Sequence, residues 1–125
     1  DGAELKNFKG SNLRNKGYYF REGLTWSTVS SGQFSIRRFY FGYLFDNGGC
    51  CLFSDSDIEY ICGLLNSNLV KFFLELSPTL NYQPGDIGKI PTIFPSDSNL
   101  KSNIEKMVKE NIDICKDDWN DYETW

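Results

Sequence analysis

The sequence predicts an α+β fold, in which a small mixed or antiparallel sheet of short aromatic strands packs on a central helix. Three observations support this prediction. One long stretch has apolar residues at helical spacing, several short aromatic segments with glycine-containing turns precede it, and a second helical pattern follows it. The chain has 125 residues, of which 40% are hydrophobic. That content is enough for one core, so we expect a single domain.

The central helix is predicted for about residues 57–76, where apolar residues recur at steps of three and four and so share one face. These residues are Ile58, Ile61, Cys62, Leu65, Leu69, Phe72, Phe73 and Leu76. Ser56 and Glu59 have the spacing of a capping box, and Ser77-Pro78 is a stop signal. We interpret the polar residues 66–68 as the solvent face of this helix.

The strands upstream are predicted from aromatic and β-branched residues. Residues 25–29 form one candidate and residues 33–45 form the longest one. The turn at 46–49 is rich in residues that tolerate positive φ, and residues 50–53 are expected to return along the preceding strand. Because aromatic residues occupy both alternation phases of 39–45, we expect this strand to lie at the centre of the sheet.

The segment after the central helix is expected to be a loop over 78–88, followed by an edge strand or extended return over 89–94, which contains a proline. A second helix is predicted for about 99–115. Its apolar residues at helical spacing are Ile104, Met107, Val108, Ile112 and Cys115, and Ser102 with Glu105 could form a capping box. We divide the chain into an N-terminal loop (1–17), a core (18–95), and a helix with an acidic tail (96–125).

The composition argues against several classes of function. The four cysteines have no C-x-x-C spacing and the chain has no histidine, so we expect free buried thiols and no metal site. The common nucleotide-binding and nucleophile motifs are also missing, so we expect no catalysis by this chain. With no long apolar run, no signal peptide and no initiator methionine, we expect a soluble, cytoplasmic segment of a longer protein.

Charge is unevenly distributed along the chain. Residues 1–40 carry seven Lys or Arg against three acidic residues, a balance of +4, whereas the remaining residues carry six against fourteen, a balance of −8. A basic face on an acidic body can still bind phosphates, because charges interact over a Debye length of about 8 to 10 Å.

Two polar segments have the groups that contact nucleic acid. Residues 25–38 combine hydroxyls, an amide, two guanidinium groups and aromatic rings, which contact phosphates, read base edges and stack on bases. Residues 81–83 add two amides and a tyrosine in the predicted loop. The alternative interpretation is an ordinary serine-rich loop with two solvated arginines.

The chain also resembles a known family, through four segments in a fixed order. These segments are GLTWS at 23–27, GQFSIR at 32–37, ICGLLNSNLV at 61–70 and PTLNYQPGDI at 78–87, followed by Ile90-Pro91. Together they resemble the target-recognition region of PglX-type adenine-specific DNA methyltransferases of bacterial BREX phage-defence systems. More distantly they resemble the specificity domains of TaqI-like and type I restriction-modification enzymes. The resemblance covers about residues 18–125.

The resemblance implies a division of labour. In this family a separate domain binds S-adenosylmethionine and carries an Asn-Pro-Pro-Tyr motif, whereas residues 81–84 here lack the paired prolines. The chain is therefore expected to hold no cofactor itself and to dock on double-stranded DNA, beside the catalytic methyltransferase domain of the same polypeptide and other proteins of the defence system. Recognition would select the adenine that is presented for methylation.

The candidate DNA contacts follow from this expectation. They are Arg21, Trp26, Ser27, Ser30, Ser31, Gln33, Ser35, Arg37, Arg38, Asn81, Tyr82 and Gln83. The arginines would contact phosphate or guanine. Gln33 or Asn81 would pair with adenine, because a side-chain amide both donates and accepts hydrogen bonds. Two alternatives remain open: a protein-interaction domain that never touches DNA, and a scaffold whose aromatic residues form only its core.

Overall fold

The structure is a computed structural model that describes residues 14–46, 48–76 and 81–123, and it confirms the α+β fold. After a 3-10 turn at Lys16–Tyr18, the elements are β1 (Gly23–Ser27), β2 (Arg37–Phe39), β3 (Gly49–Leu52), α1 (Ile58–Leu65), α2 (Asn68–Glu75), α3 (Pro84–Ile87) and α4 (Ser98–Glu123). No helix among the described residues is long and apolar enough to cross a membrane.

The three strands form an antiparallel sheet with β1 at its centre, in the order β2-β1-β3. The prediction of a long central strand over 33–45 is therefore wrong, since only Arg37–Phe39 is extended and it lies at an edge. Gly42, at φ +99°, turns the chain back, and its N–H bonds to the carbonyl of Phe20. The predicted pairing of residues 50–53 with that strand is also wrong, because β3 pairs with β1.

The central helix is broken, contrary to the prediction of one helix over 57–76. Asn66 ends α1 and clasps the backbone of Ile36: its Oδ1 accepts from the Ile36 N–H at 3.0 Å, and its Nδ2 donates to the Ile36 carbonyl at 2.9 Å. Ser67 then caps α2 by accepting from the Val70 N–H. Asn66 thus makes a tertiary contact and Ser67 starts a helix, so of the three residues predicted as a solvent face only Asn68 is exposed.

The break changes which side chains are buried. In α2, Val70 and Leu74 enter the core. The residues predicted to be buried in this half instead face outward, each at least 46% exposed: Leu69, Phe72, Phe73 and Leu76. The capping box of Ser56 and Glu59 is also not formed, because Asp57 is the N-cap residue of α1 and its carboxylate pairs with Lys101.

One core unites the sheet and the helices. β1 contributes Leu24 and Trp26, which are 0% and 2% exposed. The other buried members are Phe34, Ile36, Cys62, Leu65, Val70, Leu74 and Ile87. On the far side of α1, α4 packs through Val108 and Ile112. Gly63 permits this close approach, since a Cβ at that position would lie 2.6 Å from Val108 Cγ2.

The C-terminal helix is longer than predicted and begins earlier. Asp97 caps it, because its Oδ1 accepts from the Asn99 N–H at 2.8 Å, in place of the predicted box of Ser102 and Glu105. The acidic residues predicted as a tail are helical to Glu123. Residues 91–95 form no strand, and the Tyr60 hydroxyl holds this return by donating to the Ile93 carbonyl at 2.6 Å.

Some predictions fall outside the described residues. These are most of the N-terminal loop (1–13), one position of the turn at 46–49, the stop signal at 77–78 with the start of the following loop (79–80), and the last two residues. The described remainder of that loop contains α3, which was not predicted.

Candidate nucleic-acid interface

The two polar segments of the sequence meet in the structure. Val29 and Asn81 form an antiparallel bridge, and the Tyr82 N–H donates to the Thr28 carbonyl at 2.7 Å. Trp26 Nε1 donates to the Tyr82 carbonyl at 2.8 Å. Residues 81–83 are therefore fixed alongside the end of β1, although more than 50 residues of chain separate the two.

Three aromatic rings in tilted and edge-to-face contact lie beneath this junction. The Phe34 ring contacts the Tyr82 ring at 5.1 Å between centroids and the Trp26 ring at 6.4 Å. Phe34 and Ile36 are buried, so the alternating residues Gln33 and Ser35 face outward. The rings thus act as a rigid base that holds both segments in one orientation.

The exposed side chains around the junction are mostly polar, although Val29 is 71% exposed, and we name the polar ones the polar face. Its members are Ser27, Ser30, Ser31, Gln33, Ser35, Arg37, Asn81 and Gln83, of which Ser30 is half-buried and the others are exposed. Two pairs within it are ordered by direct hydrogen bonds. Arg37 Nη2 donates to Ser27 Oγ at 3.4 Å, and Gln83 Nε2 donates to Asn81 Oδ1 at 2.8 Å.

Trp26 and Tyr82 are predicted as DNA contacts from the sequence. In the structure their side chains lie beneath the polar face. Trp26 is 2% exposed and its indole N–H is already bonded. Tyr82 is half-buried, with its ring against Phe34. Both therefore support the polar face from beneath, and Trp26 offers no ring surface to a base.

Arg38 is also removed from the surface. Its side chain is 5% exposed, with Nη2 2.7 Å from Glu22 Oε2 and Nη1 donating to the carbonyls of Gly23 and Phe39. The nearest carboxylate to Nε is that of Glu59, at 4.0 Å, and within the described part of the chain Nε has no hydrogen-bond partner. This guanidinium joins β1, β2 and α1, and both of its Nη groups are used by protein acceptors.

Arg21 lies apart from the polar face. It precedes β1 at the end opposite Ser27, roughly 20 Å away along an extended strand. Its Nη2 is 2.9 Å from Asp55 Oδ1, and its guanidinium lies over the Tyr18 ring at 5.3 Å. The sequence therefore predicted two arginines that the structure does not bring to the same surface as Arg37.

A cavity that is not predicted from the sequence lies next to Gln83. It has a volume of about 510 Å³, and the rings of Tyr18, Phe45 and Phe53 form one wall. These rings contact one another at 4.9 and 5.6 Å between centroids. Phe45 and Phe53 belong to segments predicted as strands. Gly42, which interrupts the aromatic run of 39–45, is the signal that could have corrected the first of these predictions.

Two of the cysteines, Cys51 and Cys62, have thiols of low reactivity. Burial raises the pKa of the Cys51 thiol, and burial likewise raises the pKa of Cys62. Both therefore stay protonated near neutral pH. Not all four thiols are buried, however, because Cys115 is exposed on α4. Among the described residues, no group of three or more His, Cys, Asp or Glu side chains is arranged to hold a metal ion.

Comparison with known proteins identifies two relatives. The chain is 40% identical over 129 residues to the adenine-specific methyltransferase BrxX of Escherichia coli O9:H4 (strain HS), covering 99% of this chain and 10% of that protein. It is 34% identical over 107 residues to the adenine-specific methyltransferase PglX of Lacticaseibacillus casei (strain Zhang), covering 83% of this chain and 9% of that protein. No protein-family model matches the chain.

The chain spans about a tenth of the length of these curated relatives. The similarity nevertheless extends over nearly all of the chain, including both segments that form the polar face. The chain is thus homologous to a segment of the adenine-specific methyltransferases BrxX and PglX.

Proposed function

We propose that the chain is the DNA target-recognition module of an adenine-specific (N6) DNA methyltransferase of a BREX or restriction-modification defence system. The observation that carries this proposal is the convergence of residues 27–37 and 81–83 on the polar face. Separate stretches of sequence that meet to expose amides, hydroxyls and a guanidinium provide several contact types for one DNA groove. The homology to two adenine-specific methyltransferases supports the enzyme class.

The polar face has the chemistry for base and backbone contacts. The amides of Gln33, Asn81 and Gln83 can donate and accept at the edge of an adenine, and Arg37 can bind guanine or phosphate. The serine hydroxyls suit phosphate oxygens, which position a protein on DNA. The net charge of the chain is −4, so in this proposal binding is local to the polar face.

Methyl transfer itself belongs in this proposal to the rest of the polypeptide. The chain would bind the base pairs next to the target adenine and so position that adenine for methylation. Another region would bind S-adenosylmethionine and receive the flipped base. We propose double-stranded DNA and this methyltransferase region as its partners.

The proposal is tested by methylome sequencing of cells that carry the full-length parent gene. In one variant, the exposed residues of the polar face are exchanged for those of a relative with a different target. The buried residues Trp26 and Phe34 and the half-buried Tyr82 stay unchanged, so the base of the face is preserved. We expect the methylated adenine motif to change with the exchange. The matched control exchanges an equal number of exposed residues on α4, and it should leave the motif unchanged.

Methylation at the original motif in both variants would show that recognition lies elsewhere. A complete loss of methylation is resolved by purifying the variant and measuring its DNA affinity. A folded protein with normal affinity and no motif preference still supports the proposal. A folded protein with wild-type preference contradicts it.

A second function is favoured by the exposed apolar side chains of α2, namely Leu69, Phe72, Phe73 and Leu76. Exposed apolar patches of this kind mark protein interfaces. In this alternative the chain binds another protein of the defence complex and does not contact DNA. Salt dependence separates the two. DNA binding should weaken with a log-log slope of about −0.9 per neutralised phosphate, whereas an apolar interface should barely respond.

A further inference from the structure

An apolar stripe on α4 continues past the end of its contact with α1. Ile104, Val108 and Ile112 are half-buried, and the last two pack against the core. Cys115, Trp119 and Tyr122 follow at steps of three and four, so they lie on the same helical face. These later residues are exposed, Trp119 at 63% and Tyr122 at 81%.

The exposure has a simple geometric cause. The 26 residues of α4 extend for about 39 Å, whereas the 8 residues of α1 extend for about 12 Å. The stripe is therefore covered where α1 is present and uncovered beyond it. An additional segment that lies beyond the end of α1, along α4, would cover the exposed part of the stripe.

A groove runs beside this stripe. It has a volume of about 750 Å³, and its walls include Ile36, Val108, Cys115 and Trp119. None of the described residues that line it is acidic, although the chain as a whole is acidic. Arg37 and Lys116 line the groove, and Lys116 Nζ lies 3.9 Å from the centre of the Tyr40 ring and 3.9 Å from Asp113 Oδ1. The groove thus offers an apolar wall and a cationic edge.

We propose that this groove is the docking site for an apolar segment with an acidic side chain, supplied by the methyltransferase region of the same polypeptide. The proposal rests on the proposed function only in taking the chain as part of a longer methyltransferase. The relatives are about ten times as long as the chain, so most of such a polypeptide lies outside it. A tethered segment competes with other partners at an effective concentration in the millimolar range.

The charge pattern supports this occupant over a second copy of the chain. The described lining of the groove includes the cations Arg37, Arg38 and Lys116 and no acidic residue. A second copy that docked through the same groove would therefore bring like charges together, which is unfavourable. A segment with one carboxylate against Lys116 and an apolar side chain against Trp119 would match both features of the groove.

Cys115 provides a direct probe, because it is exposed in the chain and lies in the groove wall. The experiment uses the full-length methyltransferase under native conditions. Alkylation of each cysteine by N-ethylmaleimide is followed by mass spectrometry, and the oligomeric state is measured by light scattering. Cys62, which is 4% exposed, serves as an internal control for unfolding.

We expect Cys115 to be protected in the monomeric wild-type enzyme and to react at least about tenfold faster in Trp119→Ser, as local protection is lost. Ile114→Ser is the matched control, because Ile114 is a 64% exposed apolar residue on the opposite face of α4. It should leave the Cys115 rate unchanged. Tyr122→Ser, a change at a more exposed position of the stripe, serves as a second variant if Trp119→Ser also exposes Cys62.

Equal Cys115 rates in the wild type and in both stripe variants would overturn the proposal. Protection that disappears on dilution, together with a dimeric mass, would assign the groove to a second copy and would also overturn it. None of these measurements uses DNA. An unchanged methylation motif after exchange of the polar face, with Cys115 protected, would therefore reject DNA recognition and leave the docking site in place.

Discussion

Two adjacent arginines of β2 have opposite roles because side chains alternate across a strand. Arg37 is exposed on the polar face, and Arg38 is buried beneath the sheet with Glu22 and two carbonyls. The sequence predicts this alternation, since the two residues are neighbours in a strand. It does not show which of them points inward, because that depends on the register with β1, where Thr25 lies opposite Arg37.

This difference predicts separate effects on stability and binding. Arg38→Ala removes one donor from each of two backbone carbonyls and breaks the pair with the half-exposed Glu22, so we expect it to lower the free energy of unfolding by about 2 to 3 kcal/mol. Arg37→Ala should change the free energy by less than about 0.5 kcal/mol and should weaken DNA binding by the intact enzyme. Urea unfolding and DNA titration measure the two effects. Equal destabilisation by both substitutions would contradict the assignment.

At the scale of elements, the largest departure from the sequence prediction is the break between α1 and α2. The three- and four-residue spacing of apolar residues continues across it, so periodicity alone predicts one helix. The break is caused by Asn66, whose amide binds Ile36, a residue 30 positions earlier in the chain. A contact at that separation leaves no local pattern in the sequence, although Asn66 and Ser67 are themselves residues that end and start helices.

The close packing of α1 on α4 leads to a second prediction. Gly63→Ala would place a Cβ 2.6 Å from Val108 Cγ2, so the Val108 side chain must rotate or α4 must shift, and we expect a loss of about 1 to 3 kcal/mol in the free energy of unfolding. Gly85→Ala, on α3, is the control, because nothing lies within 4 Å of the added Cβ. Adding Val108→Ala to Gly63→Ala should recover part of the loss. Additive effects of the two substitutions would show that the two side chains do not collide.

For the whole molecule, the fold class and the presence of two helical regions were predicted correctly from periodicity. The polar residues of the site were predicted as two separate segments. The two segments meet because Val29 pairs with Asn81. That pairing is set by the path of the entire chain between the two residues. The strand arrangement was mispredicted because the aromatic residues of 39–45 pack on one another, as Phe39 does on Tyr43, and do not cross the sheet.

The stability of the whole chain should depend on pH through the pair that joins α1 to α4. The hydrogen bond from Lys101 lowers the pKa of Asp57 from its ordinary value, and the bond to Asp57 raises the pKa of Lys101. The contribution of Asp57 is therefore present above about pH 4 and is lost as pH falls through its lower folded value. The contribution of Lys101 is present below about pH 10 and is lost as pH rises through its higher folded value.

Asp57→Asn tests this pH dependence. Asn tolerates the left-handed backbone at this position, where φ is +60°. The difference in free energy of unfolding between wild type and Asp57→Asn should be constant between about pH 5 and 9 and should narrow at both extremes. Urea unfolding across this range measures it. In a Lys101→Met background the same substitution should show a much weaker dependence on acid pH, and an unchanged profile there would contradict the pairing.

Because the rings beneath the polar face hold its two segments in place, the residues that stabilise the fold differ from those that can contact a partner. Trp26, Phe34 and Tyr82 hold the two segments in place from the buried side, while Ser31, Gln33 and Asn81 project outward. Substitutions at the outward positions change the chemistry presented to a partner at little cost in stability. In the proposed function, such a surface can acquire a new DNA target through single substitutions, with the protein remaining folded after each one.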